Sequence, residues 1–112
     1  MAIISNIVID QGSTFIADID VTDNDGNILN LTGYTVAGQM RKSYASTTAT
    51  DFTASVLNEG NGTVRISLTA AQSNNLKAGR YVYDVEITDA SGTVTRVLEG
   101  QVEVTPGVTR AS

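Results

Sequence analysis

Apolar residues recur at every second position through most of this chain, and short clusters of Gly, Asn and Asp separate the runs. That period belongs to a strand with one face in a core and the other in water, not to the 3.6-residue period of a helix. The stretch TFIADIDV sets Phe15, Ala17, Ile19 and Val21 against Thr14, Ile16, Asp18 and Asp20. TVAGQMRK alternates Val36, Gly38 and Met40 with Ala37, Gln39 and Arg41, and TVRISL opposes Val64, Ile66 and Leu68 to Arg65 and Ser67. RYVYDVEI puts Tyr81, Tyr83, Val85 and Ile87 on one side and Val82, Asp84 and Glu86 on the other. TRVLEGQVEV continues the alternation, with Gly100 expected to mark a bulge. IISNIVI and the short DFTASVL bring the total to about seven strands, which predicts an all-β chain: an immunoglobulin-like antiparallel β-sandwich.

One segment breaks the period. LTAAQSNNLKAGRY has Thr69 three residues before Gln72, the spacing of a capping box. It predicts one short helical crossover near 69–78, ended by Gly79 in the left-handed region, with Leu76 inward. A nearby tyrosine commonly pins such a corner, and both Tyr81 and Tyr83 are available for it. SYASTTATD, residues 43–51, predicts a mobile loop, and Pro106 should end the last strand. Residues 1–112 are read as a single domain, with 1–5 as an N-terminal arm and 106–112 as a C-terminal tail.

Composition narrows the chemistry. A chain of 112 residues buries roughly 65% of its unfolded surface, enough for one core without a staple. With no Cys and no His, it lacks thiolate chemistry, the usual zinc ligand and any Ser-His-Asp triad. The net charge of -5 argues against binding nucleic acid by phosphate neutralisation. Arg41 and Lys42 are adjacent cations and, with Tyr44, form the one small basic contact candidate. Neither a signal peptide nor a run of ~20 apolar residues is present, so a soluble protein made in a cytoplasm is expected. Phosphate-binding glycine loops are absent, and the chain is not expected to be an enzyme or to carry a cofactor.

DIDVTDNDGNI, residues 18–28, is the most acidic stretch, and an EF-hand is the first test to apply to it. With Gly26 as loop position six, position one is Val21 and position twelve is Thr32, and neither is a carboxylate. A looser calcium site on Asp20, Asp23 and Asp25 remains as the weak metal candidate. The stretch aligns without a gap on DVEITDASGTV, residues 84–94, where Gly92 matches Gly26 but Ser91 replaces Asp25. A turn needs that glycine but not that charge, so turn chemistry is the better account. Asp18 and Asp20, like Asp84 and Glu86, then belong to a wet sheet face. If the two acidic strands lie side by side, Asp18 and Asp84 become candidates for one basic patch on a partner.

GSTF, then DNDGNILNLTGYTVAGQMRKS, then GTVRISLTAAQSNNLKAGRYVYDVEITDASGTVTRVLEGQVEVTPGVTR resemble, in this order, small virion structural proteins of tailed bacteriophages. The likeness is to short β-sandwich proteins of marine and cyanobacterial contractile-tail phages, and to immunoglobulin-like modules of baseplate and tail-fibre proteins. It spans roughly residues 8 to 110. LTGYTVAGQMRKS and LKAGRYVYDVEIT with RVLEGQVEVTPGVTR are its most specific parts, and they are fold-bearing phrases. The resemblance implies a non-enzymatic virion subunit, as head decoration, neck or tail accessory. Such a subunit would bind other virion proteins in symmetric copies, without nucleic acid or membrane. Sheet edges can accept a partner strand, so Ile3 and Ile4 in the arm and Arg110 in the tail join the contact candidates. Two other classes remain open: a carbohydrate- or cell-surface-binding adhesion module, and a calcium-stabilised sandwich.

Overall fold

The computed structural model describes residues 3–22 and 25–107, with the backbone alone for Ile3. The period-two runs form strands β1 (Ile3–Ile4), β2 (Ile7–Asp10), β3 (Phe15–Asp20), β4 (Thr35–Arg41), β5 (Thr50–Asp51), β6 (Thr53–Asn58), β7 (Thr63–Leu68), β8 (Gly79–Thr88) and β9 (Val94–Thr105). Helix α1 (Ala70–Asn74) lies between β7 and β8. One sheet has the order β1-β9-β8-β4-β5, with β2 following β1 along β9, and the other has the order β3-β7-β6. β1 and β2 share one edge, and β5 and β6 are one run that changes sheet at Phe52, so the nine segments among the described residues make seven runs of a β-sandwich. The sheets are antiparallel within these runs except at β9, where β1 and β2 pair in parallel.

The alternation reads directly into burial. Val64, Ile66 and Leu68 of β7 face Val85 and Ile87 of β8 across a core that also holds Ile9, Leu31, Met40, Val102 and Val104. Phe52, at the sheet crossing, packs against Phe15 of one sheet and Tyr83 of the other, at ring-centroid distances of 6.0 and 6.3 Å. Aromatic pairs at such spacings add to the area term rather than merely filling space.

The capping box is present in full: the Gln72 N–H donates to Thr69 Oγ1 at 3.2 Å, and the Thr69 N–H donates to Gln72 Oε1 at 2.8 Å. Leu76 is buried. Gly79 does not end the helix. Asn75 does, in right-handed geometry, with the Asn75 N–H on the Gln72 carbonyl and the Leu76 N–H on the Ser73 carbonyl, and Gly79 opens β8 instead. Ser73 is the one buried polar residue among those described. Its hydroxyl donates to the Ser13 carbonyl at 2.7 Å and accepts from the Gly12 N–H at 3.1 Å, which ties α1 to the β2–β3 turn.

Both tyrosines named for the corner are used, on different targets. Tyr81 donates to the Lys77 carbonyl at 2.7 Å and closes the α1–β8 corner. Tyr83 crosses the sheet and donates to the Ser5 carbonyl at 2.6 Å, between β1 and β2. The bulge in β9 lies at Val97 rather than Gly100: Leu98 pairs with Val85 and Arg96 with Glu86, which leaves Val97 without an opposite residue. Gly100 has another reason to be glycine, because a Cβ there would overlap the Ser5 carbonyl. Residues 43–51 are folded back on β4, with the Ser46 N–H on the Ser43 carbonyl and Thr50–Asp51 paired as β5.

Burial pushes the Tyr83 phenol above its ordinary range, against a smaller lowering by the bond to Ser5. A raised folded-state pKa stabilises fully below the unfolded value, about pH 10, and that contribution is lost as pH rises through the folded value. Tyr83→Phe should therefore cost about 1–2 kcal/mol at neutral pH and flatten the fall in stability above about pH 10. Urea denaturation at pH 7 and pH 10.5 checks both; an unchanged alkaline slope would show that Tyr83 is not the titrating group.

Candidate functional site

In a sheet, residues paired across strands share a face, so the register assigns each side chain. On the outer face of the larger sheet one row runs Asp51, Gln39, Asp84, Glu99 and Ile4 through β5, β4, β8, β9 and β1. The next row is Ala37, Glu86 and Arg96. Arg96 reaches across, with Nη1 on Glu99 Oε2 at 3.2 Å and Nε 3.4 Å from Asp84 Oδ2. The Glu99 hydrogen bond and then the Asp84 charge hold Arg96 further toward its charged form. Gln39 donates to Asp51 Oδ1 at 2.7 Å, and Arg41 donates to Gln39 Oε1 at 3.1 Å and to the Ser46 carbonyl at 2.6 Å. These side chains floor an open concavity of about 790 Å³ that runs to Tyr44 and the Phe52 crossing. Tyr44 stands 87% exposed at its rim.

Arg41 and Lys42 do not form a paired basic patch. Arg41 is committed to the outer-face network, whereas Lys42 Nζ sits 4.7 Å from the centroid of the Tyr81 ring. Cation–π contact of this kind holds the lysine stem against the ring.

The two acidic strands do not lie side by side. Asp18 is on β3 and Asp84 on β8, in different sheets and on opposite outer faces of the sandwich, so one flat basic patch cannot meet both. Each has a cation within the chain. Asp18 accepts from Arg65 Nε at 2.7 Å and Nη2 at 3.1 Å. That hydrogen bond holds the Asp18 carboxyl below the usual carboxylate range, against a smaller desolvation effect. A lowered pKa stabilises above the unfolded value and loses that contribution as pH falls through the folded value. A carbon-detected titration should place the Asp18 midpoint below about 3.9, and Arg65→Met should return it to that value.

Of the metal candidates, Asp20 accepts from Thr63 Oγ1 at 3.0 Å, Asp25 lies in the turn that carries Gly26, and Asp23 falls outside the described residues. Among the described residues no three His, Cys, Asp or Glu side chains gather as a metal-holding set. The turn that matches residues 18–28 shows what an aspartate does there: Asp89 Oδ1 accepts the N–H groups of Ser91 and Thr93, each at 2.9 Å. Gly26 and Gly92 both have positive φ, 83° and 88°. The first copy is not a hairpin between neighbouring strands. It is a local turn, bridged at Thr22 and Ile28, within the crossing from β3 to β4.

Ile4 is 74% exposed on the β1 edge; the side chain of Ile3 and all of Arg110 lie outside the described residues. Arg96, Glu99 and Asp51 are site residues that the sequence patterning missed. Only the Val97 bulge brings Glu99, rather than Leu98, opposite Asp84. No helix among the described residues is long and apolar enough to cross a membrane.

No family model matches the chain. No curated protein matches it either. Among solved structures, an internalin-like protein of Listeria monocytogenes is similar at 16% identity and a TM-score of 0.47, covering 95% of this chain and 28% of its own. A family 123 glycoside hydrolase from Clostridium perfringens is similar at 13% identity and a TM-score of 0.41, covering 94% of this chain and 23% of its own. The chain thus spans about a quarter of each of those proteins. Both likenesses are distant and neither bears on function.

Proposed function

We propose that the chain is a non-enzymatic structural protein of a tailed-phage virion that binds other virion proteins as a decoration, neck or tail accessory subunit. What supports this is where the resembling phrases lie. LTGYTVAGQMRKS contains β4, and LKAGRYVYDVEIT with RVLEGQVEVTPGVTR contains β8 and most of β9. Those three strands are the contiguous centre of one sheet. Its outer face is a network of side chains already held by one another, so contact there orders few new rotamers and keeps the entropic cost of binding low. Cryo-electron microscopy of the assembled particle should locate the chain in symmetric copies on the head, neck or tail. Recovery of the chain only outside particles would overturn the reading.

One observation favours a second reading. The concavity has both polar and apolar lining, with exposed Tyr44 at its rim, an arrangement that suits a sugar ring stacked on an aromatic face. In that case a glycan array gives hits that Tyr44→Ala removes; a blank array disposes of it.

A further inference from the structure

The β1–β2 edge places two exposed aliphatic side chains along one sheet edge. Sheet edges are commonly blunted by shortness, bulges or charge. β5 is two residues long, β6 has a register break between Val56 and Asn58, and β3 places Asp18 and Asp20 on its outer face. β1 and β2 are short as well and end at Asp10, but they carry neither Lys nor Pro, and they expose Ile4 at 74% and Val8 at 62%.

The backbone of this edge is also set for pairing. β1 and β2 keep one register on β9, with Ile4 opposite Glu99 and Val8 opposite Glu103. The Ser5 N–H donates to the Glu99 carbonyl at 2.8 Å, and the Gln11 N–H donates to the Thr105 carbonyl at 3.0 Å. By the alternation of a ladder, Ile4, Val8 and Asp10 aim their N–H and C=O groups outward; at Ser5–Asn6, between the two strands, the ladder is interrupted, with the Ser5 carbonyl taking the Tyr83 hydroxyl. The same three residues carry their side chains on the outer face. Asn6 is held in place, since its Oδ1 accepts the Gln101 N–H at 3.1 Å.

We infer that this edge pairs antiparallel with the same edge of a second copy, with Asn6 at the two-fold axis. An isologous pair of strands must match residue i with a constant minus i. Centred on Asn6, Ile4 of each copy lies opposite Val8 of the other, and both exposed aliphatic side chains are covered. Centred on residue 7, Ile4 would face Asp10; centred on Val8 or Ile4, one of the two aliphatic side chains is left uncovered. Charge fits the same register. Along the row Glu103, Val8, Ile4 of the second copy and Glu99 of the second copy, the carboxylates are three strand spacings apart, roughly 14 Å, beyond a Debye length of about 8 Å. The joined sheet would run continuously through both copies. The inference rests on the edge alone, not on the virion reading, and the isolated chain suffices to test it.

The experiment uses cysteine pairs in a chain that has no native Cys. Hydrogen-bonded antiparallel partners have Cα atoms about 5.5 Å apart, within disulfide range. Ile4→Cys mixed with Val8→Cys should give a disulfide-linked heterodimer under mild oxidation, and neither variant alone should give a dimer at more than a tenth of that rate. In sedimentation equilibrium the wild type should dimerise reversibly, Val8→Lys should weaken dimerisation at least tenfold, and Ile16→Lys on the β3 edge should leave it unchanged. Thermal melts of both lysine variants confirm that each is folded, since both side chains replaced are exposed. A wild type that is monomeric at millimolar concentration would overturn the inference, as would a dimer that Ile16→Lys breaks. Cross-linking of Ile4→Cys with itself in preference to Val8→Cys would overturn the register.

Discussion

Gly62→Ala is expected to lower stability by about 3 kcal/mol, the sum of a left-handed backbone penalty and a forced displacement of neighbouring backbone. Gly62 has φ +66°, and a Cβ there would lie 2.5 Å from the Leu29 carbonyl oxygen and 2.8 Å from that of Val21. Those are backbone atoms, so no rotamer change relieves the overlap. The Val21 N–H donates to the Gly62 carbonyl at 2.7 Å, and Val21 and Leu31 are both core residues, so moving this segment opens the core. Gly26→Ala is the matched control. Its φ is +83°, but nothing lies within 4 Å of its Cβ position, so it should show the dihedral cost alone, about 1 kcal/mol. Urea denaturation of the two variants separates the terms; equal midpoints would show that the close approach at Gly62 is energetically irrelevant.

Ile66→Ala should be worse still, near 4 kcal/mol, toward the upper end of aliphatic truncations. Ile66 is fully buried in the middle strand of the smaller sheet. Its cross-strand neighbours are Ala17 on one side and Ala54 on the other. Neither is long enough to lean into the space that the isoleucine vacates, so the cavity persists, and the cost of such a truncation rises with the cavity that remains. Against a total stability of about 5–15 kcal/mol, that loss would leave a fraction of the chains unfolded at moderate temperature. Ile16→Ala, on the solvent face of the same sheet, should change stability by less than about 1 kcal/mol. Similar unfolding midpoints for the two would mean that the inward face is not the core.

Much of the fold was legible because it depends on neighbours in sequence. The faces of β3, β4, β7 and β8 follow from alternation residue by residue. The capping box follows from the Thr69–Gln72 spacing, since both hydrogen bonds close within one turn. The turn chemistry of Gly26 and Gly92 follows from φ preferences of single residues. The candidate site was less legible. Arg41 was visible as a cation, but its partners Gln39, Asp51 and the Ser46 carbonyl depend on how residues 43–51 fold back. Arg96 was missed because its role depends on a one-residue bulge at Val97, and Val-Leu in a strand carries no local mark of which residue is extra.

The sequence by itself determined that the chain is built of strands, which side of most strands faces inward, and where a helical turn interrupts them. Those are matters of period and of single-residue backbone preference. The tertiary structure alone decided that Asp18 and Asp84 stand on opposite outer faces, each beside its own arginine, rather than together. It also decided that Tyr83 and Gly100 both serve the same Ser5 carbonyl, which holds β1 and β2 along β9 and leaves their far side open. Sheet membership and register rest on pairings far apart in the chain. A strand with a clean alternation is compatible with several neighbours, and only the packed core selects among them.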